Sequence, residues 1–346
     1  MNKNKVLIIA EAGSNWRMGT ERRDMKMAKT LIESASQAGA DAIKFQTYRA
    51  ETVYVSNAGK LSYLDEGNSS ESISDIFKDL SMPYEMIPEL ADFSKSHSIE
   101  FMSTPFSIED TRAIDPFVNR HKIASYEIGH SELISFIAQT GKPLILSTGG
   151  ATIDEIKWAV NFFHSNGGKE ISLMQNTAKY PAPFSTLNLR VIPTLKKTFD
   201  IPVGLSDHSR DPILAPVAAV ALGATIIEKH FTLDNKLPGP DHSFAITSEE
   251  LKKMVEAIRN CEDSLGSEDK FVQKDEEELR NFAQRGIQAK RNISKGESLE
   301  IGKNIDILRS GIQNKGLHPK FLNDIDGKKA SRDIPVGDGI IHGDYE

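Results

Sequence analysis

Eight short β-branched runs, each followed by a stretch of helical or turn-forming residues, fill the first 265 residues, and this alternation constrains the fold more than any other feature. The runs lie at 6–10, 41–45, 100–102, 122–125, 143–146, 171–174, 202–205 and 225–228. Helical periodicity is read at 25–38, 86–96, 131–139, 153–165, 187–199, 212–222 and 248–261. In the first helix Met27, Ala28, Leu31 and Ile32 share a face and Gly39 fits the C-terminal cap. In the last, Ser248 is the expected N-cap, with Leu251, Met254, Val255 and Ile258 facing inward. Parallel strands need crossover connections, and helices supply them. Eight such units favour a closed (β/α)8 TIM barrel over an open sheet, which more often shows about five or six strands and a glycine-rich first turn. Neither G-x-G-x-x-G nor G-x-x-x-x-G-K-[ST] occurs.

Composition removes several function classes. Hydrophobic residues make up 39% and charged residues 26%, enough apolar side chain for a sizeable core. The apolar run 6–10 stops at Glu11, too short for a signal-peptide core or a membrane span. The single cysteine, Cys261, cannot form an internal disulfide, which suits a reducing cytoplasm. With 42 basic residues scattered among 49 acidic ones and a net charge of -7, no nucleic-acid footprint is expected. The reading is a soluble cytoplasmic protein without membrane or nucleic-acid partners.

The barrel domain is expected over 1–266, a charged linker or solvated helix over 267–284, and a small β-rich domain over 285–346. The tail is broken by the turns Lys295-Gly296, Asp326-Gly327 and Val336-Gly337-Asp338. It is too small for much of a core and is expected to lean on another surface. A long polar insertion at 50–81 is read as a lid over the barrel mouth.

In such barrels the chemistry sits at the C-terminal ends of the strands. Those ends carry Glu11, Lys44, Thr104, Lys122, Ser125, Glu127, Ser147, Tyr180, Ser206, His208 and His230. Lys44 and Lys122, with Thr104, Ser125, Ser147 and Ser206, form a set of cations and hydroxyls suited to a phosphate or carboxylate. His208 and His230 end adjacent strands and could meet on one divalent metal; two imidazoles with oxygen donors suit manganese, zinc or iron. The default reading of each residue alone is plainer: rim lysines, structural ion pairs, turn hydroxyls and structural histidines. Their concentration at one rim favours an anion-plus-metal enzyme site.

Several stretches resemble the sialic acid synthase family, which condenses phosphoenolpyruvate with an N-acetylated amino sugar. They are Ile9-Ala10-Glu11-Ala12-Gly13, the run 39–47, Lys122-Ile123-Ala124-Ser125, Leu146-Ser147-Thr148-Gly149-Gly150, Tyr180-Pro181 and Gly204-Leu205-Ser206-Asp207-His208. The most specific are the run 227–233 and Pro238-Gly239-Pro240-Asp241-His242. The tail, through 291–296 and 331–334, is similar to the family's antifreeze-like C-terminal (SAF, β-clip) domain. The resemblance covers nearly the whole chain.

The resemblance implies phosphoenolpyruvate held by Lys44, Thr104, Lys122, Ser125, Ser147 and Ser206. It implies a divalent metal, manganese first with magnesium or cobalt as alternatives, on His208 and His230. Glu127, Tyr180, Asp241 and Arg285 would face the sugar, and Glu127, Lys122 and Glu11 would serve catalysis. Arg285 would reach from the tail of one subunit into the barrel of its partner, making a homodimer with swapped C-terminal domains. The acceptor implied first is N-acetylmannosamine. A diacetamido-trideoxy hexose, as in legionaminate and pseudaminate synthases, and a phosphorylated acceptor, as in 9-phosphate synthases, remain open, as does a non-catalytic carbohydrate-binding protein.

Two stretches depart from the family pattern. The loop after the first strand reads Asn15-Trp16-Arg17-Met18-Gly19, where many members carry Asn-His-Asn-Gly. Ahead of Tyr180 the chain has Gln175-Asn176 and Ala178, where His-Cys and then Asn or Ser are usual.

Overall fold

A computed structural model of the chain describes residues 5–59 and 72–346. The chain divides into two compact units, 1–266 and 267–346.

In the first unit the eight strands are β1 (Leu7–Gly13), β2 (Ala42–Thr47), β3 (Glu100–Pro105), β4 (His121–Ile123), β5 (Leu144–Ser147), β6 (Ile171–Gln175), β7 (Val203–Asp207) and β8 (Ile226–His230). They form one parallel sheet in the order β3-β2-β1-β8-β7-β6-β5-β4, and its end strands β3 and β4 pack against each other. The sheet thus curls into a near-closed TIM-like barrel, as the eight-unit alternation predicts. Period-2 alternation sorts each strand's side chains. Outward residues such as Ile8, Ile43, Phe101, Leu146, Leu205 and Ile227 join the large core shared with the helices. Inward residues Ile9, Ala42, Met102, Ile145, Met174 and Ile226 form a separate apolar plug.

The helices differ from expectation in instructive places. The first runs over Glu21–Gln37, its opening turn polar and therefore without apolar periodicity. The helix expected from 187 begins at Val191, because Asn188 sits at φ 47, a left-handed conformation that a right-handed helix cannot include. Leu214–Ala221 starts two residues later than read, where Asp211 Oδ1 accepts the N–H groups of Ile213 and Leu214 at 2.8 and 2.7 Å. The closing helix, Ser248–Leu265, is capped by Thr247 and not by Ser248: Thr247 and Glu250 form a reciprocal capping box. A helix at Ile108–Ile114, not read from the sequence, is capped by Ser107, whose hydroxyl accepts the Asp110 N–H at 3.1 Å.

Within the insertion, Ala50–Val53 and Ile73–Asp79 are helical. Phe77 on the second of these stands 5.0 Å ring to ring from Tyr48, just past β2, and from Tyr54 within the insertion itself. Residues 60–71, the middle of the expected lid, lie outside the described residues. No helix among the described residues is long and apolar enough to cross a membrane.

The second unit contains an exposed helix, Glu277–Ala283, and an antiparallel pair, β9 (Arg285–Ala289) with β10 (Ile305–Arg309). Contrary to expectation it has a core of its own, with Ile287, Ala289, Ile293, Leu299, Ile305, Ile325, Ala330, Ile334 and Ile340 all buried. Isolated bridges, such as Ile293 with Ile334, replace long strands and let so short a chain wrap its own apolar side chains. Close backbone approach helps: a Cβ on Gly316 would stand 2.0 Å from the Ile287 carbonyl oxygen.

Candidate active site

The site begins two residues above the apolar plug. Stepping from Ile9, Ala42, Met102, Ile145, Met174 and Ile226 by one period gives Glu11, Lys44, Thr104, Ser147, Asn176 and Glu228, all buried. Lys122 on β4 and Ser206 on β7 complete this polar layer. Six of the eight strands have therefore exchanged an apolar inward residue for a polar one in a single step toward their C-terminal ends.

The layer is a charge chain. Glu228 accepts from Lys122 Nζ through both oxygens, at 2.9 and 2.8 Å, and from Ser206 Oγ at 3.1 Å. Lys44 Nζ lies 3.8 Å from Glu228, pairs directly with Glu11 and donates to Thr104 Oγ1 at 3.0 Å. Gln46 Nε2 donates to Glu11 at 3.1 Å. Burial governs these groups, and neighbouring charges decide the sign. Burial raises the Glu11 carboxyl above the usual carboxylate range. At Glu228 burial also acts upward, but Lys122 and Lys44 outweigh it and hold the carboxyl low. At Lys44 burial acts downward and Glu11 with Glu228 prevail, so its ammonium is held above the usual value; at Lys122 burial wins and lowers it.

Glu228 is the functional residue that sequence reasoning missed. The available signal was parity: in Ile226-Ile227-Glu228-Lys229-His230, Glu228 shares the inward face with His230. The lysines expected to hold an anion are thus already paired with carboxylates. The predicted residues Lys44, Thr104, Lys122, Ser147 and Ser206 do converge here.

Ser125 and Glu127 lie beyond β4 in a single 3-10 turn, Ser125–Glu127, and not on the strand. Ser125 Oγ meets Asn176 Nδ2 at 2.9 Å and accepts the Gly149 N–H at 3.2 Å. Asn176 Oδ1 accepts the N–H groups of Gly149 and Thr148 at 2.8 and 3.2 Å, tying the turn after β5 to β6. The neighbouring departure, Gln175, faces away and donates to the Leu187 carbonyl at 3.1 Å. Burial pushes the Glu127 carboxyl up to about 7. Among the described residues it forms no ion pair.

Above the charge chain stand the histidines, with ring centroids 5.7 Å apart. His208 donates from Nδ1 to the Thr177 carbonyl at 2.6 Å, which leaves Nε2, 3.3 Å from Ser206 Oγ, as the ring's basic nitrogen. Burial, reinforced by His230, pushes His208 down to about 3, so its imidazole is neutral. His230 Nδ1 lies 3.5 Å from Asp241 Oδ2, and although burial acts downward on His230, Asp241 prevails and raises it. Tyr180 stacks on His208 at 4.2 Å and meets His230 edge-on at 5.6 Å. Gly13, at φ 51, makes room for Asp241: a Cβ there would stand 2.8 Å from its Oδ2.

This donor set fits a divalent ion. His208 shows the usual arrangement behind a metal-ligating imidazole, with Nδ1 held by a carbonyl and the Nε2 lone pair left over. His230 Nδ1 is buried without a hydrogen-bond partner, Asp241 standing 3.5 Å away. No group of three His, Cys, Asp or Glu side chains that could hold a metal occurs among the described residues. Further ligands would have to be water or substrate oxygens, which leaves open positions.

The remaining predicted residue, Arg285, opens β9 in the second unit. It is exposed, and its Nη1 donates to the Ile307 carbonyl at 2.8 Å.

Residues 31–270 match the model of the NeuB family. The chain belongs to this family. It is 40% identical to the spore coat polysaccharide biosynthesis protein SpsE of Bacillus subtilis, across 98% of this chain and 93% of the relative. It is 37% identical to a pseudaminic acid synthase of Campylobacter jejuni, across 99% and 97%. With the N,N'-diacetyllegionaminic acid synthase of the same organism identity is 39%, across 86% and 89%. The crystal structure of an N-acetylneuraminic acid (sialic acid) synthetase from Leptospira borgpetersenii, in complex with citrate, superposes with a TM-score of 0.69 at 33% identity, across 80% of this chain and 92% of that one. The resemblance to sialic acid synthases therefore holds, and this NeuB-family chain is related along nearly its whole length to enzymes that make nonulosonic acids.

Proposed function

We propose that the chain condenses phosphoenolpyruvate with an N-acetylated amino sugar, N-acetylmannosamine first, to give a nonulosonic acid and phosphate. The observation that supports this most is the buried layer of two lysines and several hydroxyls directly beneath a histidine pair. Lys44, Lys122, Thr104, Ser125, Ser147 and Ser206 hold the phosphate and carboxylate of phosphoenolpyruvate. Glu228 and Glu11 keep the two lysines extended toward that position before the ligand arrives.

His208 and His230 hold a divalent ion, manganese first with magnesium or cobalt as alternatives, which supplies Lewis-acid polarisation of the acceptor's aldehyde oxygen. The enol carbon of phosphoenolpyruvate bonds to the aldehyde carbon, the aldehyde oxygen takes up a proton from solvent, and an oxocarbenium centre is left at the phosphate-bearing carbon. Water adds there, Glu127 accepting its proton. The C–O bond to phosphate then breaks as the new hydroxyl becomes the carbonyl and gives its proton to the departing phosphate. Lys122 and Lys44 stabilise the charge on the departing phosphate. Tyr180, Asp241 and Glu127 face the sugar.

In this reading the second unit is an antifreeze-like domain whose Arg285 reaches the acceptor in the partner subunit of a swapped homodimer. Exposure of Arg285 in the single chain is compatible with that role. Arg285→Ala should raise the KM for the sugar and leave that for phosphoenolpyruvate in place; an equal rise in both would remove Arg285 from the sugar site. A second acceptor class, a diacetamido-trideoxy hexose, is favoured by the pseudaminic and N,N'-diacetyllegionaminic acid synthases among the relatives.

Phosphate release from phosphoenolpyruvate decides between them. It is measured with manganese across N-acetylmannosamine, its 6-phosphate and the two diacetamido-trideoxy hexoses, with and without chelator. Chelator-sensitive release with one sugar is expected and names the acceptor. Folded protein that releases no phosphate with any of them refutes the reading.

A further inference from the structure

The outer faces of β7 and β8 carry a charged pair that the chemistry above leaves unused. Lys229 alternates with Glu228 and His230 and so points away from the barrel interior, into the layer between sheet and helices, where it is 1% exposed. Its Nζ lies 2.5 Å from Asp207 Oδ2 and 2.5 Å from the Ser209 carbonyl oxygen. Asp207 in turn accepts the Ser209 N–H at 2.9 Å and the Ser209 hydroxyl at 3.0 Å. The ladder places Asp207 opposite Lys229. Every group in this cluster is the chain neighbour of a histidine: Asp207 and Ser209 flank His208, and Lys229 precedes His230.

We propose that the Asp207–Lys229 pair is a positioning device that sets the spacing and orientation of His208 and His230 for a divalent ion; this rests on the metal reading given above. Stability alone is a poor reason to bury such a pair. Removing two charges from water costs about what their attraction returns, and an apolar pair of similar volume commonly does as well. What an apolar pair cannot supply is direction. Short, charge-assisted bonds fix angles as well as distances, and a metal site tolerates only about 0.5 Å of error in its ligands.

The location fits this need. β7 ends at Asp207, so His208 stands just past the regular ladder, where its carbonyl still accepts the Ala182 N–H at 2.8 Å but no strand partner fixes its direction. The Asp207–Ser209 turn and the Lys229 bond to the Ser209 carbonyl add to that single backbone bond on one side of His208. The Thr177 carbonyl holds its ring on the other. His230, still within β8, is displaced only as far as its strand moves, and Lys229 joins that strand to the turn carrying His208.

The test is the double variant D207V/K229M, which removes both charges and leaves none unpaired, beside K229R, which keeps the charge but cannot reproduce both short bonds. Manganese binding to the metal-free protein is measured from the electron paramagnetic resonance signal of the free ion. The thermal midpoint and phosphoenolpyruvate affinity without metal are measured on the same samples. We expect manganese affinity to fall about 10- to 100-fold in both variants, as for other residues that orient metal ligands. Phosphoenolpyruvate affinity and cooperative unfolding should be retained. Unchanged manganese affinity in a folded variant overturns the proposal, and so does a parallel loss of phosphoenolpyruvate affinity, which would mark a general structural role. If D207V/K229M fails to fold, K229R decides by the same criteria. Wild-type protein that binds no divalent ion overturns the metal reading itself, and that control, measured first, separates the two failures.

Discussion

Two neighbouring layers of the barrel interior are built from the same six strands at the same parity, yet one is wholly apolar and the next wholly polar. Ile9, Ala42, Met102, Ile145, Met174 and Ile226 fill the lower layer; Glu11, Lys44, Thr104, Ser147, Asn176 and Glu228 occupy the upper. Both layers are shut off from water, so solvent access does not explain the contrast. The lower layer closes the barrel by dispersion and apolar burial, about 1.5–3 kcal/mol for each large side chain. The upper layer sets desolvated charges where apolar side chains could have packed, and in the proposed function those charges receive an anion. Damage to the two layers should therefore be felt in different measurements.

The largest effect belongs above both layers. His208→Ala should lower turnover on the order of 10³-fold, because Lewis-acid polarisation is worth several kcal/mol, with the thermal midpoint little changed. Residual turnover that still responds to chelator would show that His208 is not a ligand. Lys122→Ala comes next and should register in both currencies. It leaves Glu228 with the Ser206 hydroxyl and a single cation, Lys44, 3.8 Å away, which should cost about 3–5 kcal/mol of stability, and it should raise the KM for phosphoenolpyruvate. A stable Lys122→Ala protein would mean that the charge chain reorganises and that the layers are less distinct than drawn.

Ile145→Ala, in the lower layer, should cost about 2–5 kcal/mol by denaturant titration and leave kcat intact where the protein is folded. A large fall in kcat would show that the plug sets the geometry of the layer above. The smallest effect concerns Glu127, raised by burial to about 7. Protonated below that value and ionised above it, Glu127 can accept a proton only on the alkaline side. The kcat of the native enzyme should thus rise with pH through about 7, and Glu127→Gln should flatten that limb. An unchanged profile in the variant assigns the titration elsewhere.

Much of this was legible in the sequence. All eight strands were readable because buried β-branched runs bounded by turn residues carry their own signal. The residues at their C-terminal ends followed from the barrel. Lys44, Thr104, Lys122, Ser147, Ser206, His208 and His230 needed no tertiary information to be singled out. Glu228 was overlooked because it sits mid-strand in a motif dominated by its neighbours, and only the pairing with Lys122 across the barrel gives it a role. The capping of the last helix by Thr247, one residue before Ser248, could not be separated by residue type, since both carry a suitable hydroxyl. The tail's own core was missed for a different reason. Its apolar residues are dispersed among turns and meet through isolated bridges, which leave no periodic trace.

The sequence by itself determined the alternation of strand and helix, the number of units and which end of the barrel is polar, because these depend on local periodicity and on neighbours in the chain. Only the tertiary structure decided which charge faces which. Glu228 reaches Lys122 across 106 positions of sequence, and Lys44 meets Glu11 from an adjacent strand. Such pairings depend on strand register and on curling the sheet until opposite strands face one another. A one-residue shift in register would turn every one of these side chains to the other face.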